Sequence, residues 1–223
     1  MLPTEKEKLQ IILDEVLKLG QSTLDINKLI LEKLEHCQPC LLTEINKISK
    51  KERYKKIDLI DNLIIKVFAL YTPEARDLRE LIAFLKITNE FDRIANSSNS
   101  FIHDFPIALS DELDRDLILE YAIPLQKSSV IALEYALKLL ALDDLELVDD
   151  YYSTVSLEES KNDDLYKIIE KTLLKKINSD MHLTKDYQDV MAALRRLEKV
   201  ADRALSIANL MHYAKLGGVI RKT

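Results

Sequence analysis

Tryptophan is absent from this 223-residue chain, glycine occurs three times and proline five times. So few Gly and Pro leave few places for tight turns, and the composition favours long helices over sheets. No apolar run approaches the ~20 residues that span a bilayer, and no signal-peptide pattern opens the chain. The cytoplasm is therefore the expected compartment. The formal net charge is −6, which argues against nucleic acid as the main partner, because phosphate binding wants a basic face. Also missing are a phosphate-cradling Gly-rich loop and any Ser/His/Asp or Cys/His nucleophile arrangement. The chain is read as a non-enzyme.

Cysteine occurs twice, in the run His36-Cys37-Gln38-Pro39-Cys40. A thioredoxin-like redox pair would want a preceding strand and a βαβ context, which the sequence does not supply. A zinc site would need a fourth ligand beyond His36 and the two thiols, and none is nearby. A helix–helix loop with reduced thiols is the expectation.

What is present is organised around the stretch from Asp77 to His103. Phe84, Ile87, Phe91, Ile94, Ser98 and Phe101 recur at steps of three and four, the spacing of one helix face. Beside them runs a polar row of Asn89, Asp92, Asn96, Asn99 and His103. Asp92 and Asn96 are one turn apart and can reach a common point. The stretch has an echo at Leu194 to Asn209. Positions 92 and 198, and positions 96 and 202, are each 106 apart, so Asp92/Asn96 is repeated as Glu198/Asp202. A duplicated helical unit follows, and with it a side-chain pair able to bind metal.

In chain order, Thr4–Glu35 reads as a first long helix with an apolar stripe through Ile12, Val16, Leu19, Thr23, Ile26, Ile30 and Leu34. A second is expected from about Leu42 to Tyr71, burying Ile57, Ile60, Ile64, Val67, Phe68 and Tyr71. Thr72 as N-cap and Pro73 in the first turn should start the third, which Pro106 should stop. A fourth is expected from Ser110 to about Leu142 with a kink at Pro124. Residues 143–164 are strongly acidic and read as a solvated connection. A fifth helix is expected from Asp163 to about Ile177, and a sixth from Thr184 to Lys215, ended by Gly217-Gly218.

Several of these runs resemble the PhoU family of phosphate-uptake regulators. They are Ala69-Leu-Tyr-Thr-Pro-Glu-Ala-Arg-Asp77-Leu-Arg79, Leu85-Lys-Ile, Glu90-Phe-Asp92-Arg-Ile-Ala-Asn96, Asp163-Asp-Leu-Tyr166 and Leu197-Glu198-Lys-Val-Ala-Asp202-Arg-Ala. The closing stretch from Tyr213 through Gly217-Gly-Val-Ile-Arg221 also fits the family's usual end. The resemblance covers the chain in order from about Leu9. It implies an all-α fold of six long helices in two tandem, pseudo-symmetric three-helix bundles, residues 1–106 and 107–223.

The resemblance also implies a site. Family members carry Glu/Asp-x-x-x-Asp motifs, which in some of them hold iron, zinc or other divalent metals. Glu198 and Asp202 match that pattern fully. Asp92 matches its first position, but Asn96 stands where the family has Asp, and Ala95 and Ser97 also depart from it. Asp58, Asp61 and Asp163 occupy places where the family often adds a carboxylate from the preceding helix. Two carboxylates one turn apart do supply hard oxygen ligands. Arg195, Lys199 and Arg203 flank the second pair, so surface ion pairs would also explain it.

For partners, the resemblance implies the ATP-binding subunit of a phosphate ABC importer and a phosphate-sensing histidine kinase, met at the inner face of the membrane, and a homodimer. Two other classes compete with this reading. A ferritin-like or di-iron bundle would use Glu-x-x-His, and this chain has none. A plain helical adaptor needs only the repeat.

Overall fold

A computed structural model of the chain describes residues 4–46 and 49–218. Its elements are the helices Glu5–Glu35 (α1), Lys50–Leu70 (α2), Ala75–Ala108 (α3), Arg115–Ala141 (α4), Val148–Ser179 (α5) and Thr184–Leu216 (α6). Short 3₁₀ turns at Pro39–Glu44, Leu145–Leu147 and Met181–Leu183 join some of them. No strand occurs among the described residues. The architecture is all-α with six long helices, as the composition and periodicity lead one to expect.

Helix boundaries follow local chemistry. Thr4 caps α1 through a reciprocal pair, its Oγ1 accepting from Glu7 N while Glu7 accepts from Thr4 N. Ser49 and Glu52 repeat the device at α2. This second capping box corrects the expected start at Leu42: a 3₁₀ turn precedes it, and the helix restarts where two orphan N–H groups find acceptors. Lys47 and Ile48, inside the expected helix, lie outside the described residues. Phe68, expected on the buried side of α2, is exposed.

Three other boundaries move. Glu74, not Thr72, occupies the N-cap of α3, without a side-chain hydrogen bond. Pro106 does not stop α3, which runs on to Ala108; a proline in the last turn removes only one ladder bond. Asp114 caps α4 by accepting from Leu117 N, while Ser110 donates to Asp186 on α6. The largest change concerns residues 143–164. They are not a solvated connection; most form the first half of α5, because Val148, Val155, Glu158 and Asn162 give it a buried side. At the far end Gly217, with φ 81°, closes α6. The φ > 0 conformation is one that L side chains rarely adopt. Residues 219–221 of the C-terminal match lie outside the described residues.

Packing joins the two halves rather than separating them. α3 lies most extensively along α6, and α1 packs on α4. Two apolar clusters result, and each draws on both halves. One holds Ile12, Ile60, Phe84, Phe91, Leu133 and Met211; the other holds Ile30, Phe101, Phe105, Leu125, Ile169 and Leu194. Between them, at the middle of the helices, lies a buried polar layer. Asn27 donates to Ser98 Oγ at 3.0 Å, and Gln126 donates to the Asn27 carbonyl at 2.8 Å. Asn162 donates to Ser129 Oγ at 2.9 Å, and Ser129 donates to the Leu197 carbonyl at 2.9 Å. Buried polar groups cost little only when bonded in this way. The expected ligand pairs sit at this same level of α3 and α6. Cys37 and Cys40 are exposed free thiols.

Candidate functional site

In the first half, α2 delivers Arg53 to the pair on α3. Its Nε donates to Asp92 Oδ1 at 2.9 Å and its Nη2 to Asn96 Oδ1 at 2.5 Å. Asn96 Nδ2 in turn donates to Asp92 Oδ2 at 3.0 Å. The guanidinium side chain is 2% exposed. Both oxygens of Asp92 are thus engaged within the protein, one of them by a full positive charge. Asp58 and Asp61 lie one and two turns further along α2. Asp58 is exposed. Asp61 is half-buried, its Oδ1 accepts no hydrogen bond, and burial followed by the nearby Asp58 charge pushes its carboxyl up. Among the described residues no hydrogen bond or ion pair links either aspartate to Asp92 or Asn96.

In the second half, α5 and α6 bring several carboxylates together. Glu198 is 4% exposed, and its Oε2 accepts no hydrogen bond, with Arg195 Nε at 3.3 Å as its ion-pair partner. Burial pushes the Glu198 carboxyl up to about 7, Asp202 adding to the effect and Arg195 opposing it. Asp202 is also pushed up, first by burial, against the pull of Arg203 and Arg195. Glu159 on α5 behaves alike: burial raises it, then the charges of Asp202 and Asp163. Asp163, half-exposed, is held by Lys167 at 2.7 Å. A cleft of about 280 Å³ opens here between Glu159, Asp202, Arg203 and Ser206. Arg203 reaches across to Glu90 of α3 at 3.5 Å.

These two places differ in what they can hold. Among the described residues no three His, Cys, Asp or Glu side chains already stand around one point as metal ligands. The second half gathers carboxylates of the kind a hard cation uses, Glu198 and Asp202 one turn apart with Glu159 and Asp163 near Asp202, although the buried Glu198 Oε2 faces Arg195 Nε at 3.3 Å. The first half does not fit a metal ion, because Arg53 fills the place that the ion would take.

Two participants escaped the sequence reading, Arg53 and Glu159. Neither carries a local signal, since Arg53 lies among lysines and Glu159 within an acidic run.

Comparison with solved structures gives the fold. The crystal structure of the phosphate transport system regulatory protein PhoU from Streptococcus pneumoniae matches with a TM-score of 0.78 at 17% identity, over 98% of this chain and 100% of that one. The crystal structure of PhoU from Pseudomonas aeruginosa matches with a TM-score of 0.68 at 18% identity, over 96% of each chain. No family model and no curated protein sequence matches. At such identities the likeness establishes the PhoU fold.

Proposed function

We propose that this chain regulates a phosphate transport system, as a non-enzymatic protein that docks on other proteins. The observation that carries the reading is the end-to-end agreement of its fold with a protein named as a phosphate transport regulator. The partners are the importer's ATP-binding subunit and a phosphate-sensing histidine kinase, engaged at the cytoplasmic face of the membrane. No helix among the described residues is long and apolar enough to cross a membrane, which accords with peripheral attachment. The protein acts as a homodimer.

Long packed helices offer broad rigid faces for such docking. The acidic first half of α5 and the loop before it can meet a basic partner surface and speed encounter. Association should then weaken with salt, since exposed charges are screened beyond about 8–10 Å at physiological ionic strength. A divalent cation at Glu198, Asp202, Asp163 and Glu159 would neutralise a cluster of like charges and brace α5 against α6.

The test is deletion of the chain in its host, reading phosphate uptake and phosphate-starvation gene expression in phosphate-rich medium. Derepression of both supports the reading. If both stay repressed and the purified protein ignores both partners, the chain is a plain helical adaptor or a metal-storage bundle instead.

A further inference from the structure

The outer seam between α3 and α6 is basic, on a chain whose formal net charge is −6. Arg196, Lys199 and Arg203 follow one another along α6 at steps of three and four, so they share one stripe. Arg203 and, from α3, Arg93 both reach Glu90. Arg203 Nη1 lies 3.5 Å from one of its oxygens, and Arg93 Nη1 lies 3.3 Å from the other. Charge-assisted bonds close to about 2.7–2.9 Å, so one carboxylate is divided between two guanidinium groups and saturates neither. Arg196 has still less. It is half-buried, and its Nε is shielded from solvent with no acceptor. The cations that pull on Glu198 and Asp202 are Arg195, Lys199 and Arg203. Arg196 stands two turns before Arg203, on the flank of α6 that meets α3.

We propose that this seam binds a phosphate group, gripped by the Arg196 fork, with Arg93, Lys199 and Arg203 supplying the surrounding positive charge. A buried donor without an acceptor costs free energy, and more so on a charged group. A bound ion is one way such an orphan is satisfied. A guanidinium presents its donors in a planar fork that matches two oxygens of a phosphate, whereas a lysine is a point charge. The two helices also bring their cations to one place. α3 and α6 run antiparallel, in a register set by Arg203 on Glu90 and by Arg79 on the Ala214 carbonyl. That register places Arg196 opposite Ser97, one turn beyond Arg93, so positive charge from both helices converges on one stretch. Free phosphate and the headgroup of an anionic lipid offer the same oxygens to it. The inference stands on the charges of the seam and not on the regulatory reading above.

The test is calorimetric titration of inorganic phosphate into the purified protein at fixed ionic strength. Beside it runs co-sedimentation with phosphatidylglycerol vesicles and with neutral phosphatidylcholine vesicles. Binding heat from phosphate in solution assigns the site to the free anion; pelleting with the anionic vesicles alone assigns it to a headgroup. In whichever arm binds, Arg196→Met, which keeps an apolar stem, should weaken binding roughly tenfold or more. Lys171→Gln, an equal loss of charge at an exposed position of α5, should leave it unchanged. Glu90→Gln should tighten binding severalfold by freeing Arg93 and Arg203, a gain that is readable even if Arg196→Met fails to fold. Binding in neither arm overturns the proposal. So does binding that survives Arg196→Met or falls equally in Lys171→Gln, and so does a Glu90→Gln affinity no higher than that of wild type. None of these results bears on the regulatory reading, which is decided by phosphate uptake in the host.

Discussion

Gly20 on α1 lies directly against Phe91 on α3: a Cβ built on the glycine would stand 2.6 Å from the ring Cζ, and closer still to Leu137 Cδ2 on α4. Three helices meet at that point with no room for a methyl group. Gly20→Ala should therefore lower stability, by about 1–3 kcal/mol for overpacking, less the roughly 1 kcal/mol that alanine gains in helix propensity. Urea unfolding with an unchanged slope measures it. A higher midpoint would mean that Leu137 and Phe91 can both yield.

The Arg53–Asp92 contact joins α2 to the rest of the bundle through buried charges. Arg53→Met should cost about 3 kcal/mol, because it strands the Asp92 carboxylate at a place 14% exposed. Adding Asp92→Asn should restore part of that loss. The double-mutant cycle isolates the coupling; additive losses would show that the pair contributes only packing.

Ser49 holds the first turn of α2, where Arg53 sits. Ser49→Ala should cost about 1 kcal/mol, and amide exchange should accelerate first at residues 50–54. Uniform acceleration across the six helices would place the loss elsewhere.

Stability should depend on pH through Glu198 when divalent ions are chelated. Its folded-state value is about 7, against about 4.5 when unfolded. Between those values the folded chain holds the extra proton, so its stability falls as pH rises through the window and then levels off. The full contribution approaches about 3 kcal/mol. Asp202 and Glu159 are raised too and act with the same sign. Subtracting the pH profile of Glu198→Gln from that of wild type isolates the effect. A difference that grows in the opposite direction would mean that Arg195 outweighs burial.

Much of this was readable beforehand. The face Phe84, Ile87, Phe91, Ile94, Ser98 and Phe101 is buried throughout, because a 3.6-residue period survives any tertiary context. The all-α class and the six helices were legible for the same reason. Boundaries were less so. Residues 143–164 look solvated by composition, yet a few well-spaced apolar residues suffice to fold most of them into α5. Pro106 looks like a helix stop in sequence, but in the last turn of α3 a proline removes only one ladder bond. The site was half legible: two carboxylates one turn apart announce themselves, but a buried arginine in a run of lysines does not. In Lys50-Lys51-Glu52-Arg53-Tyr54-Lys55-Lys56 nothing local separates Arg53 from its solvated neighbours. Its partners on α3, 39 and 43 positions away, do so.

The shared apolar clusters bear on how the chain is made. α3 is complete at Ala108, but α6, its main packing partner, does not begin until Thr184. At roughly 5–20 residues per second of synthesis, the apolar side of α3 waits several seconds on the ribosome before its cover emerges. During that interval Phe84, Phe91 and Phe101 are available to any other hydrophobic surface, including the α3 of a neighbouring nascent chain. Folding of this bundle is thus tied to the completion of α6, and the interval before that is when a chaperone has most to protect.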